Sequence, residues 1–182
     1  GTLDNGFGSG GMVKTDMAGK SDNARSVVVQ SNGKIVVTGY AQNGSNSDFA
    51  VARYNANGTL DNSFSGDGRE LTTIDGTSQD YAVGAVVQPD GKIIVAGYSY
   101  NALYANYDFA LVRYTASGIP DNGFGTAGRI LTNFNSPNDV AAAVVLQADG
   151  KIVVAGSTSI GTDFDFAVAR YNTATPLTGI AA

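Results

Sequence analysis

The chain contains neither cysteine nor histidine among its 182 residues. Without cysteine it has no disulfide, no thiol nucleophile and no thiolate ligand for a metal. Without histidine it has no imidazole base, no serine–histidine–aspartate triad and none of the usual nitrogen ligands of zinc or iron. These absences exclude the commonest nucleophilic enzymes and transition-metal sites.

Basic residues are scarce as well. The 11 lysines and arginines are outnumbered by 16 acidic residues, so the net charge is −5 and the pI is about 4.4. Such an acidic chain is poorly suited to bind nucleic acid or an anionic membrane surface. No apolar run approaches the roughly 20 residues of a membrane span. We therefore expect neither nucleic-acid binding nor membrane insertion.

What the chain does contain is glycine, with 24 residues, and an ordinary apolar fraction of 43%. Its dominant feature is repetition. GTLDNGFGSGG at Gly1 returns as GTLDNSFSGDG at Gly58 and as GIPDNGFGTAG at Gly118. A long period of this kind predicts one supersecondary unit stacked three times rather than a unique core. Positions that all units share are expected to build the scaffold, and positions that differ are free to carry function.

We assign three tandem repeats to residues 1–57, 58–117 and 118–174, and interpret residues 175–182 as the degenerate start of a fourth repeat or as a linker. Each repeat places an Asn-Gly or Asp-Gly dipeptide between two apolar runs, which predicts two strands joined by a type I′ turn. A third run alternates in polarity, and a short fourth run follows a glycine-rich loop. The fourth runs are Met12–Thr15, Arg69–Thr73 and Arg129–Asn133.

Four antiparallel strands per repeat, apolar on both faces, are typical of a propeller blade. The sequence predicts an all-β fold of three four-stranded antiparallel blades, which would be half of a six-bladed ring or part of a larger propeller. A β-solenoid and a β-sandwich are the alternatives. A solenoid coil usually has a shorter repeat, and a sandwich would not repeat its sequence so closely.

The phrases QPDGKIIVAG, DFALVRY and GTLDN-x-F resemble the delta-60 repeat, a bacterial family assigned to β-propeller domains. The resemblance extends over all three repeats. It implies an extracellular or bacterial cell-surface location. It carries over no catalytic residues, because none is established for that family.

The repeats are cut out of phase with the blades. The chain opens with the loop and outer strand of one blade and ends with the inner three strands of another, and closed propellers have 4–8 blades. An unpaired strand edge needs a cover. One hypothesis is that Met12–Thr15 completes the third blade of another copy, which would close two copies into a six-bladed ring or build a filament. The other is that the sequence belongs to a longer chain with further repeats.

The loops predict a binding face. Connections between strands one and two and between three and four are nearly constant, whereas the other connections vary, as expected of a scaffold that presents a binding surface. The longest variable loop carries our candidate ligand-binding residues Tyr98, Tyr100, Tyr104 and Tyr107. Tyrosine clusters favour recognition of protein or glycan. In the alternative interpretation Tyr98, which matches Tyr40, packs between blades.

Charges that recur in every repeat are assigned to structure. Aspartates before strands one and three are expected to accept hydrogen bonds from backbone N–H groups; they are Asp22, Asp80, Asp139, Asp48, Asp108 and Asp165. Arginines that recur in the third strands are expected to pair with aspartates that recur in the loops. The arginines are Arg53, Arg113 and Arg170, and the loop aspartates are Asp4, Asp61 and Asp121. Calcium is an alternative at Asp61–Asp67 and Asp163–Asp165, but neither segment has EF-hand spacing. We expect no cofactor.

Catalysis has little support. Two carboxylates could hydrolyse a glycosidic bond, but the aspartates recur in every repeat and Glu70 is the sole glutamate. The sequence therefore predicts a non-enzymatic, secreted or surface β-propeller module that acts as a structural, self-associating subunit by strand exchange. The alternative is an adhesion module that binds a glycan or protein through its variable loops.

Overall fold

A computed structural model describes residues 1–76, 79–101 and 104–173. Those residues form eleven β-strands. The first eight are β1 Asp22–Val29, β2 Ile35–Asn43, β3 Asn46–Tyr54, β4 Arg69–Thr72, β5 Asp80–Val87, β6 Ile93–Asn101, β7 Asn106–Tyr114 and β8 Arg129–Thr132. The last three are β9 Asp139–Leu146, β10 Ile152–Ile160 and β11 Asp163–Tyr171. In this part of the chain no helix is long and apolar enough to cross a membrane.

The strands form three antiparallel sheets in which chain neighbours are also sheet neighbours. We call them blade one (β1–β4), blade two (β5–β8) and blade three (β9–β11). The all-β prediction is confirmed. The prediction of four strands in every blade is met in blades one and two, whereas the described residues supply three strands to blade three. The proposed fourth-repeat segment, 175–182, lies outside the described residues.

The blades pack face to face through their first strands: β5 contacts blade one and β9 contacts blade two. Phe49 and Val51 of blade one share a buried cluster with Val95 of blade two. Phe109 and Leu111 of blade two share another with blade three. Inner strands are therefore buried on both faces, which explains their nearly continuous apolar sequences.

The predicted type I′ turns are wrong in detail. In a type I′ turn both central residues have positive φ, but here the positive φ is found at the glycine, with Gly33 at 80° and Gly91 at 84°. The Gly33 N–H donates to the Gln30 carbonyl at 2.9 Å, and Asn32 Oδ1 accepts from the Lys34 N–H at 3.1 Å. Each hairpin thus follows the three-residue pattern in which a left-handed glycine ends a tight turn.

Met12–Thr15 does not form the predicted strand, although it lies where a fourth strand would. In each blade a tyrosine of the third strand donates its hydroxyl hydrogen to a threonine of the preceding fourth-strand position. These bonds join Tyr54 to Thr15 at 2.7 Å, Tyr114 to Thr72 at 2.8 Å and Tyr171 to Thr132 at 2.9 Å. The segment lacks a ladder because no described third strand lies beside it.

Candidate functional site

Five tyrosine rings touch in series along blade two and its junction with blade one. Tyr40 meets Tyr81 with ring centroids 4.8 Å apart, and Tyr81 meets Tyr98 at 5.2 Å. Tyr107 then contacts Tyr98 at 5.5 Å and Tyr100 at 5.3 Å. We call these five residues the tyrosine cluster. Three of the four contacts are edge-to-face, the geometry that aromatic quadrupoles favour.

Strand register brings these rings together. Tyr81 of β5 lies directly opposite Tyr98 of β6, and Tyr100 of β6 lies opposite Tyr107 of β7. Tyr98 and Tyr100 are two residues apart, so they share one face of the sheet. Cross-strand partners on one face are close enough for ring contact. The cluster is thus built on strands rather than on loops.

The structure groups three of the four predicted site residues and excludes the fourth. Tyr98, Tyr100 and Tyr107 belong to the tyrosine cluster, but Tyr104 is 69% exposed and lines a separate hollow. Tyr40 and Tyr81 were missed as site residues. A count across the hairpin from Tyr98 reaches Ala82, and a bulge between Ala82 and Gly84 shifts the register so that Tyr81 lies opposite Tyr98 instead.

The cluster opens to solvent between blades two and three. Tyr81, Tyr98 and Tyr107 line a shallow cleft of about 480 Å³ together with Asn138 and Phe164. Burial raises the pKa of the Tyr98 and Tyr107 phenols above the ordinary range, so both stay neutral and keep a donor and an acceptor. The cleft combines flat apolar rings, neutral hydroxyls and one amide.

This combination occurs in blade two and not in its neighbours. The cross-strand pair Tyr81–Tyr98 corresponds to Asn23–Tyr40 in blade one and to Val140–Ser157 in blade three. The pair Tyr100–Tyr107 corresponds to Gln42–Ser47 and Ser159–Phe164. A scaffold role should recur in every blade, so Tyr81, Tyr100 and Tyr107 are the strongest candidates for recognition, whereas Tyr98 has an equivalent in Tyr40.

On the opposite rim the predicted charged cluster forms in blades one and two. Arg53 Nε lies 2.6 Å from Asp61 Oδ2, Lys34 Nζ lies 2.7 Å from the same oxygen, and the Arg53 guanidinium lies 4.7 Å from the Phe64 ring centroid. In blade two, Asp121 Oδ2 lies 2.8 Å from Arg113 Nε and 3.1 Å from Lys92 Nζ. The Arg113 guanidinium lies 4.7 Å from the Phe124 ring centroid. We call each set of arginine, lysine, aspartate and phenylalanine a loop clamp.

The loop clamps are poorly suited to bind calcium, because their aspartates are already paired with cations. Burial alone would raise the pKa of Asp61, but hydrogen bonds from Lys34, Ser63 and Arg53 outweigh it and hold the pKa far below the ordinary range. The carboxylate is therefore ionised and already neutralised by two cations. Within the described ranges no three histidine, cysteine or acidic side chains converge as a metal site would require.

The aspartates that precede the first strands are structural. Asp22, Asp80 and Asp139 each accept a backbone N–H from the preceding connection through Oδ2. The donors are Met17 at 2.9 Å, Ile74 at 2.8 Å and Phe134 at 2.7 Å. This confirms the predicted turn-capping role for these three aspartates and accounts for their recurrence. Before the third strands, Asp48 and Asp108 instead accept side-chain hydrogen bonds, from Thr73 Oγ1 at 3.0 Å and from Asn133 Nδ2 at 2.7 Å.

Two apolar surfaces at the ends of the blade stack have no neighbouring blade among the described residues. On β11, Phe166 is 99% exposed and Val168 is 62% exposed. At the other end, a cleft of about 450 Å³ separates the N-terminal segment from blade one, with Met12, Met17 and Gly39 in its walls. One surface is therefore the outer face of blade three, and the other is the outer face of blade one.

A family model described as a domain of unknown function (DUF5122) beta-propeller matches residues 30–64, 88–124 and 147–174. The three matches cover more than half of the chain. The first two run from the end of a first strand through the third strand to the clamp phenylalanine, and so coincide with the recurrent scaffold. No curated protein matches the chain at a significant level.

Proposed function

Because the chain belongs to the DUF5122 beta-propeller family, we propose that it is a non-enzymatic, secreted or surface bacterial repeat module whose role is structural. Copies of the chain assemble when Met12–Thr15 of one copy completes blade three of another. Closure of two copies gives a six-bladed ring, and open addition gives a filament.

One contrast carries this proposal. Phe49, Phe109 and Phe166 occupy the same position of successive blades; the first two are fully buried and the third is 99% exposed. Burial of a phenylalanine side chain is more favourable than its exposure to water by roughly 1.5–3 kcal/mol. An exposed edge strand with an apolar face is also a template for pairing with another chain. A further blade unit would satisfy both needs.

Light scattering on the purified chain tests the proposal. We expect the wild type to be a dimer or a larger assembly, and Phe166→Asp to be monomeric at the same concentration. Ile119→Asp is the matched control because Ile119 is 55% exposed in a loop of the constant rim; it should leave the mass unchanged. A monomeric wild type would contradict assembly.

A second candidate function is ligand binding at the tyrosine cluster. Its two cross-strand tyrosine pairs occur in blade two and are not repeated at the equivalent positions of blades one and three, which favours this function. The neutral cleft suits a sugar, whose C–H faces stack on aromatic rings while its hydroxyls bond to phenols and amides. Arg25 lies over Tyr40, with its guanidinium carbon 5.3 Å from the ring centroid. Adhesion to a glycan is therefore the preferred form, and a protein ligand is the other.

Substitutions taken from blade one test this second function without foreign residues. Tyr107→Ser and Tyr81→Asn install the residues found at the equivalent positions of blade one, and Tyr104→Ala is the control outside the cluster. On a glycan array, we expect the first two variants to lose a signal that the control keeps. Equal binding by all three variants would exclude the cluster as the site.

A further inference from the structure

We infer that copies join head to tail through a third loop clamp, in which Arg170 of one copy binds Asp4 and Phe7 of the next. The inference rests on the proposed assembly and specifies its contacts. Each successive junction between blades would then be built alike, within the chain and between copies.

Arg170 is placed as the other clamp arginines are. Arg53 lies opposite Val36, Arg113 opposite Ile94 and Arg170 opposite Val153, the same register position in each third strand. Arg53 and Arg113 are both 5% exposed, but Arg170 is exposed. The described residues bury the first two guanidinium groups and leave the third at the surface.

The N-terminal loop already has the conformation of a clamp loop. The Phe7 N–H donates to the Asp4 carbonyl at 3.0 Å, as Phe64 does to Asp61 at 2.9 Å. Asp4 Oδ1 accepts the Gly6 N–H at 2.9 Å, as Asp61 Oδ1 accepts the Ser63 N–H at 3.2 Å. In the formed clamps Oδ2 takes the arginine.

The loop also sits on the following blade as the other loops do. The Gly8 N–H donates to the Asn57 carbonyl at 2.9 Å, and the equivalent Ser65 N–H donates to the Ser117 carbonyl at 2.7 Å. Asp4 and Phe7 are thus held in a preformed arrangement to which the described residues supply neither the arginine nor the lysine of a complete clamp. The exposed Arg170 of a second copy has the complementary charge and the matching register.

The apolar ends agree with the same junction. Phe109 meets Phe134 edge to face, with ring centroids 5.1 Å apart. Met17 is the residue equivalent to Phe134, since both donate their N–H to the aspartate that opens the next strand. A Cβ added to Gly97 would lie 2.8 Å from Phe49 Cζ, so that ring rests on a glycine. The equivalent Gly39 lines the N-terminal cleft beside Met17.

Register follows from the two complete blades. Phe49 pairs with Thr72 and Phe109 with Thr132, and Thr15 is the matching threonine by its bond to Tyr54. In the assembly Phe166 of one copy therefore lies opposite Thr15 of the next. Ala167 then lies opposite Lys14.

A charge swap tests the intermolecular clamp. In Arg170→Asp, and equally in Asp4→Arg, like charges meet at the junction, and we expect each variant to self-associate at least about 30-fold more weakly than wild type. Mixing the two variants pairs opposite charges at both junctions of a dimer, so association should return in the mixture alone. Sedimentation equilibrium measures all three samples. Lys20→Asp is the charge-matched control, because Lys20 binds the Gly44 carbonyl on the opposite rim.

The outcomes separate the clamp from assembly itself. If wild type associates and both swaps associate equally well, or if the mixture shows no recovery, the clamp is wrong while assembly stands. If wild type is monomeric, both fall. Circular dichroism verifies that the variants fold.

A cross-link reads the register directly and needs no charge change at Arg170. The chain has no cysteine, so Ala167→Cys with Lys14→Cys should give an oxidised dimer on a non-reducing gel. Ala167→Cys with Val13→Cys is one residue out of register, places the thiols on opposite faces, and should not. A cross-linked dimer from the second pair would overturn the inference, and so would the absence of a cross-linked dimer from both pairs.

Discussion

Tyr54 donates its hydroxyl hydrogen to Thr15 Oγ1 at 2.7 Å, across 39 residues of chain. The same bond links Tyr114 to Thr72 inside the molecule. The pair shows that the N-terminal segment occupies the place of a fourth strand although it forms no ladder. A repeat architecture thus supplies equivalent residue pairs that differ in burial.

The two tyrosine–threonine bonds should differ in their contribution to stability. Tyr114 and Thr72 are almost fully buried. Tyr114→Phe therefore leaves the Thr72 hydroxyl without its donor and out of reach of water, and should lower the unfolding free energy by about 1–3 kcal/mol. Thr15 is half-buried, and water can replace its partner, so Tyr54→Phe should cost about 1 kcal/mol or less. Urea unfolding at one protein concentration measures both. Equal losses would contradict the role assigned to burial.

Removal of the clamp charge should be severe. Asp61→Asn leaves the nearly buried Arg53 guanidinium without its carboxylate, and loss of one partner of a buried pair costs about 3–5 kcal/mol. Asp67→Asn breaks the exposed pair with Arg69, at 2.7 Å, and should cost less than about 1 kcal/mol. Thermal unfolding compares the two. A small effect at Asp61 would show that the clamp is dispensable.

Stability should fall in acid through the clamp aspartates. At both Asp61 and Asp121 burial alone would raise the pKa, but the hydrogen bonds and cations outweigh it, so the folded-state pKa lies below the ordinary value. A depressed carboxyl pKa stabilises the fold above the unfolded-state pKa, near 4, and that stability is lost as pH falls towards the folded-state value. Unfolding free energies between pH 7 and pH 2 should therefore decline below about pH 4.

Two other carboxyls oppose this trend. Burial raises the pKa of Glu70 and of Asp108, so their protonation favours the folded state as pH falls. The clamp contribution is isolated by difference: the free-energy gap between wild type and Asp61→Asn should shrink in acid. A gap that does not change with pH would remove the linkage.

Gly97 should tolerate no side chain. A Cβ there would lie 2.0 Å from the Tyr81 carbonyl oxygen and 2.7 Å from the Ala82 Cα, both backbone atoms that cannot yield cheaply. We expect Gly97→Ala to lose several kcal/mol, in the upper range for single substitutions. At Gly84 the tightest contact of an added Cβ is the Val144 Cγ1 methyl at 3.0 Å, and the nearest backbone atom, Val144 N, is at an ordinary 3.7 Å. Gly84→Ala should therefore be far milder. Similar melting temperatures for the two variants would contradict the close approach.

Polarity alternation and apolar runs predicted the strands well, because both depend only on neighbours in the sequence. They failed at the turns, where Asn32 accepts from the Lys34 N–H and the left-handed φ falls on Gly33. They also failed at Tyr81, whose ring contacts depend on strand register and on a bulge between Ala82 and Gly84. Tyr104 lies apart from the other three predicted tyrosines because proximity in sequence within a loop does not guarantee proximity in space.

The sequence by itself determined the repeat, the order of strands and the residues that recur as scaffold, since each of these is written in short-range pattern. Only the tertiary structure decided which copy of a recurrent residue is buried. Phe109 and Phe166 have the same identity and the same register, yet one is buried by the next blade and the other is exposed. Burial depends on what lies opposite a residue, and that information is not local to it.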